Sequence, residues 1–166
     1  EDLVLLNNND HNRNHNHDHH NDHDDHPHRK TPRTPKEAVA QLKHALAAFK
    51  HVAIRTDKYS KWLQHQFTAD YPWYKYYKKF FVLIKIKRQN YKLKTLERLF
   101  LHEEGLDERQ WFKHIFFAPN RYLGYGGTTF PGILESLEDK DRRNFLKWAV
   151  VARDALFDAT DYLSKH

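Results

Sequence analysis

The sequence predicts an all-α domain, an antiparallel bundle of about four helices with a structured Gly/Pro loop before the last helix. Three observations predict it. Apolar residues recur at helical spacing over long stretches from Thr34 onward. No alternating strand pattern of useful length appears anywhere in the 166 residues. Four of the five glycines and two of the six prolines fall within the nineteen residues His114 to Gly132, which marks one specified connection between helices.

Glu1 to Leu6 reads as the end of a helix entering the domain. Residues 7–33 form a His/Asn/Asp-rich, low-complexity segment with eight histidines. Such a stretch has almost no apolar surface to offset the entropy of ordering, so a disordered insertion is expected. Its imidazoles suit transition metals, but a metal centre needs ligands held by a second shell. No metal site is expected in this chain.

The helical domain is expected over 34–166. Thr34 is the predicted N-cap, Pro35 takes the first helical position, and Glu37 completes a capping box. Val39, Leu42, Leu46, Phe49, Ala53, Trp62 and Leu63 continue the first pattern to about Phe67. Pro72 opens a second one through Trp73, Tyr77, Phe80, Ile84, Leu96, Leu99 and Phe100. The pattern weakens near Gln89-Asn90, where there is room for a kink or a short break, and Gly105 reads as the C-terminal stop. Ile133, Leu134 and Leu137 start the last stretch, Asp139 to Asp141 interrupt it, and Phe145, Trp148, Ala149, Ala152, Leu156, Ala159 and Leu163 form one stripe.

Composition narrows the function. There is no cysteine, which removes disulfides and thiolate chemistry. There is no methionine, so a piece of a longer protein is expected. The net charge is +6, a weak preference for acidic partners or anionic surfaces. From Tyr71 to Arg98 nine basic residues face one acid, Glu97, with aromatics interleaved. Basic residues beside stacking rings suit single strands, but Trp73, Tyr77, Phe80 and Ile84 share one face, as on an amphipathic core helix. No nucleic-acid module motif is present, and no nucleic-acid partner is expected. His114 sits among apolar residues and reads as a hydrogen-bonded structural histidine. No nucleophile elbow, H-E-x-x-H or phosphate loop occurs, so no catalytic residue is assigned.

The loop carries a resemblance. Leu96-Glu97-Arg98, Gly105-Leu106, Trp111-Phe112-Lys113-His114, Phe117-Ala118-Pro119 and Tyr125-Gly126-Gly127-Thr128-Thr129-Phe130-Pro131-Gly132 follow one another in an order and spacing that resembles the transferrin-receptor-like dimerisation domain. This is the C-terminal domain of the transferrin receptor and glutamate carboxypeptidase II family. The resemblance is strongest from about Leu96 to the C-terminus, compatible from Thr34 to Asp70, and fails in the histidine-rich segment.

The resemblance implies a homodimer, packing against an upstream peptidase-like domain of the same chain, and a membrane-anchored parent with this domain on the lumenal or extracellular side, in the endomembrane system or vacuole. Zinc would belong to that upstream domain in an active parent, with no cofactor in this segment. In peptidase members a lysine-tyrosine pair of the loop binds the terminal carboxylate of a peptide substrate. Tyr125 keeps the tyrosine, Gly124 stands at the lysine position, and Arg121 is near enough in sequence to reach the same carboxylate. Pro119, Gly126, Gly127, Phe130, Pro131 and Gly132 are the structural residues of the loop. Two functions stay open: a zinc exopeptidase whose pocket this loop completes, and an inactive receptor or sorting adaptor that this domain holds together.

Overall fold

The computed structural model describes residues 30–121 and 126–165. The expected entering helix and most of the histidine-rich segment lie outside the described residues. Lys30 to Arg33 are described. Pro32 is buried, the Lys30 carbonyl accepts from Arg153 Nη1 at 2.8 Å, and the Arg33 carbonyl accepts from Arg142 Nη2 at 2.9 Å.

Helix α1 runs Pro35–Thr68. Thr34 is extended and its Oγ1 accepts from the Glu37 amide at 3.2 Å. The Glu37 carboxylate reaches back to the amide of Arg33 at 2.9 Å, one residue before the N-cap. A 3₁₀ turn at Trp73–Lys75 follows Pro72, then helix α2 runs Tyr77–Leu96 and closes in a second 3₁₀ turn, Glu97–Phe100. Strands β1 (Phe117–Pro119) and β2 (Gly127–Thr129) pair antiparallel. Helix α3 is Pro131–Glu138 and helix α4 is Arg142–Ser164. The expected interruption is present: Lys140 takes a left-handed φ of 54°, and Asp141 caps α4 by accepting from the Asn144 amide at 3.0 Å.

The directions follow from the contacts. The α1–α2 turn is short, so these helices are antiparallel neighbours, with Tyr59 facing Lys85 and Arg88. Helix α4 runs parallel to α1: Ala38 meets Phe145 and Ala149, Gln41 meets Arg153, and His44 meets Phe157. The long segment before α4 makes that parallel return possible. All seven residues of the predicted α4 stripe are buried. The alanines let the backbones approach closely, and Ala45, Ala152 and Ala159 have no exposed surface.

Three expectations are corrected. Helix α2 runs without a break through Gln89-Asn90, because Gln89 is buried on the α1 side and neither residue breaks a helix. Gly105 is not a helix stop. It lies beyond the 3₁₀ turn, at φ 72°, where a Cβ would sit 2.1 Å from the Gln110 carbonyl oxygen, and its amide donates to His102 O at 3.0 Å. The face shared by Trp73, Tyr77, Phe80 and Ile84 is not core: these residues are 84%, 60%, 62% and 48% exposed. The reason is length. At about 1.5 Å per residue, the 34 residues of α1 far outreach the 23 of α4. The distal α1–α2 hairpin therefore projects past α4, and among the described residues no third helix packs on it.

Candidate functional site

The glycine-proline segment folds as a small hairpin seated on α3 and α4. Phe117 pairs with Thr129, Ala118 with Thr128, and Pro119 with Gly127. These strands carry no alternating pattern, since three residues are too few to show one. The ladder extends through Asn120 N to Gly126 O at 3.1 Å and Phe130 N to Phe116 O at 3.0 Å. Gly126 has φ 92°, a conformation open to glycine and strained for other residues. Gly127 has open space around its Cα, so nothing there requires a glycine.

The hairpin is fastened at its base. Phe130 turns left-handed at φ 52°, and Pro131 then starts α3, buried, where no amide donor is needed. Gly132 packs against the Trp148 indole so closely that a Cβ would fall 2.3 Å from its Cδ2. Ser136 Oγ donates to the Gly132 carbonyl at 2.6 Å. Arg109 Nη1 donates to the Pro119 carbonyl at 2.6 Å, and its Nη2 bonds the Glu135 carboxylate. Burial pushes the Glu135 carboxyl above its ordinary value, with the Arg109 charge acting against that shift.

Trp148 is the hub beneath. Its Nε1 donates to Asp107 Oδ2 at 2.5 Å. Asp107 also accepts from Asn144 at 2.9 Å and Lys147 at 3.2 Å. Burial alone would raise the Asp107 carboxyl, but these hydrogen bonds hold it below the ordinary carboxylate value. The His102 ring meets Trp148 edge-on at 5.4 Å. His114 Nδ1 accepts from the amides of Phe116 and Phe117, both at 3.2 Å, the structural role its apolar setting suggested.

Of the predicted substrate residues, Tyr125 and Gly124 lie outside the described residues. Arg121 is described. It bonds Asp139 Oδ2 at 2.7 Å and the Glu108 carboxylate, and these bonds, Asp139 first, raise its pKa further above the ordinary arginine value. It clasps the edge of the hairpin to α3 and to the turn at Glu108. Arg109, Glu135, Asp107 and Asn144 build this base and carried no motif in the sequence. Polar side chains that meet across twenty or more residues leave no local pattern.

The model of the transferrin receptor-like dimerisation domain matches residues 38–164. The chain belongs to this family. The match covers both long helices, the hairpin and α4. Among curated relatives, the chain is 36% identical over 80 residues to the vacuolar protein sorting-associated protein 70 of Saccharomyces cerevisiae, covering 48% of this chain and 10% of that one. It is 33% identical over 61 residues to the probable glutamate carboxypeptidase LAMP1 of Arabidopsis thaliana, covering 37% and 9%. It is 36% identical over 67 residues to a probable glutamate carboxypeptidase of Arthroderma benhamiae, covering 40% and 9%. The matched part thus spans about a tenth of the length of these relatives. Among the described residues no group of three histidines or carboxylates could hold a metal. No described helix is long and apolar enough to cross a membrane.

Proposed function

We propose that this domain pairs two copies of a larger glutamate-carboxypeptidase-like protein and lends its hairpin to the substrate pocket of a zinc exopeptidase domain in the same chain. The observation that carries the pairing is the uncovered apolar surface of the projecting α1–α2 hairpin. Trp62, Trp73, Phe80, Phe81 and Ile84 are each about half exposed or more. Several large exposed apolar side chains on one projecting hairpin are what an interaction site presents. The dimerisation family and the probable carboxypeptidases among the relatives support the same reading.

The pocket role rests on the loop. The base clasped by Arg109 and Arg121 fixes both ends of the segment that holds Tyr125. In the proposal Tyr125 donates a hydrogen bond to the terminal carboxylate of a peptide substrate. Gly124 withholds the cation that a lysine would add there. Arg121, already bound by two carboxylates, would lend little charge to that site. Zinc chemistry would belong to residues outside this domain. A parent anchored in the endomembrane system or vacuole, with this domain on the lumenal side, goes with the same proposal.

The vacuolar-sorting relative favours a second reading, in which the parent is an inactive receptor or sorting adaptor and the domain serves dimerisation alone. One assay separates them. The intact protein is incubated with dipeptides of varied C-terminal residue, before and after chelation and with zinc restored. Release that chelation abolishes and zinc restores supports the peptidase. No release on any dipeptide supports the adaptor.

A further inference from the structure

The α1–α2 seam contains a cavity of about 210 Å³ lined by Tyr59 of α1 and by Lys85, Arg88, Gln89 and Lys92 of α2. Helix α2 carries seven basic residues and no Asp or Glu over its 20 positions. Lys85, Arg88 and Lys92 fall at i, i+3 and i+7, so they share a face. Lys85 and Arg88 form no ion pair among the described residues, and the cavity has no acidic lining residue. The Lys92 ammonium donates to the Lys165 carbonyl at the end of α4, which uses one of its three donors.

Gln89 is nine-tenths buried as a residue and lines the cavity floor. Its amide is not among the buried polar atoms that lack a partner, so it faces the cavity solvent, where a ligand atom could take the place of water. Lys85, Arg88 and Lys92 line the cavity with no acid among its lining residues, a positive surface that a bound anion would balance.

We propose that this cleft is an anion site for a phosphate-bearing ligand. Arg88 offers the planar fork that matches phosphate oxygens, with Lys85 and Lys92 as flanking point charges. Gln89 would donate its amide N–H from the floor. The volume lies below the roughly 300–1,000 Å³ of pockets for drug-sized molecules, so it takes a phosphate head and leaves the carrier outside. Tyr59, stacked on Trp62 at 5.9 Å, closes the α1 side. The cleft adjoins the exposed aromatic face through the Tyr59–Trp62 stack, so the oligomeric state of each variant is checked by sedimentation beside its binding.

The test is calorimetric titration of the intact protein with inorganic pyrophosphate. It is paired with flotation on phosphatidylcholine vesicles carrying either a phosphatidylinositol phosphate or phosphatidylserine at equal surface charge. Saturable binding of pyrophosphate supports a soluble phosphate source. Flotation on phosphoinositide vesicles alone, with pyrophosphate competing, supports a lipid headgroup. Arg88→Gln is expected to weaken binding roughly tenfold. Gln89→Leu, which changes no charge, is expected to weaken it several-fold. Lys78→Gln, on the same helix outside the cleft, is expected to change it less than about twofold. Circular dichroism confirms that each variant keeps its helices. Binding that falls equally for Lys78→Gln and Arg88→Gln, equal flotation on phosphatidylserine, a preference for single-stranded DNA, or no binding to either probe would each overturn the proposal.

Discussion

The Trp148 indole N–H and the Asp107 carboxylate, 41 residues apart in sequence, meet at 2.5 Å. This bond ties the turn after Gly105 to the second turn of α4, directly beneath Gly132, on which the hairpin rests. Asp107→Asn keeps the shape and removes the charge. Hydrogen bonds to charged groups contribute about 1.5–3 kcal/mol, and partial exposure of Asp107 screens them, so a loss of about 1–2 kcal/mol is expected in urea unfolding. The folded carboxyl lies below its ordinary value of 3.8. Its stabilisation is therefore present above that value and is lost as pH falls through the lower folded value. The wild type should lose stability on acidification in that window, and Asp107→Asn should show a flatter acid limb.

Gly132→Ala tests the close packing under the loop. In an exposed helix the change would stabilise by about 1 kcal/mol. Here the added Cβ would meet the Trp148 ring at 2.3 Å, and overpacking costs about 1–3 kcal/mol. The expected result is a lower urea midpoint with an altered tryptophan near-UV spectrum. A gain in stability would show that the ring can shift freely.

Arg109→Met tests the buried ion pair. The pair's side chains are 11% and 10% exposed, and removing one partner of a buried pair costs about 3–5 kcal/mol. The variant also strands the Pro119 carbonyl. Burial already raises the Glu135 carboxyl above its ordinary value of 4.5, and loss of Arg109 would raise it further. A raised value means that the contribution is full at low pH and fades as pH rises through the folded value. The variant should therefore recover part of its lost stability as pH drops from neutral toward 5. A pH-independent loss would show that Glu135 is not the source.

Tyr125→Phe tests the pocket reading on the intact protein. Loss of one hydrogen bond to a carboxylate should lower kcat/KM by roughly one to two orders of magnitude. Gly124→Lys should shift preference toward dipeptides ending in Glu or Asp. Unchanged kinetics for Tyr125→Phe on the best substrate would leave the loop a connector.

The legible parts of the fold were those written locally. Thr34 and Pro35 announce the start of α1, Asp139 to Asp141 the break before α4, and the Phe145-to-Leu163 stripe its buried face. The spaced motif around Tyr125 to Gly132 revealed the family. Periodicity failed for α2, because Trp73, Tyr77, Phe80 and Ile84 line one face whether it meets a core or a partner, and only the lengths of α1 and α4 decide which. The base of the hairpin was also hidden. Arg109–Glu135 and Asp107–Trp148 join residues distant in sequence, and no local spacing encodes such pairs.

Sedimentation equilibrium of the intact protein at micromolar concentration tests the central claim most directly, with a Phe80→Ser/Ile84→Ser variant run beside it. The account predicts a dimer for the wild type and a shift toward monomer for the variant, with unchanged helical content in both. A wild type that sediments only as a monomer would contradict it.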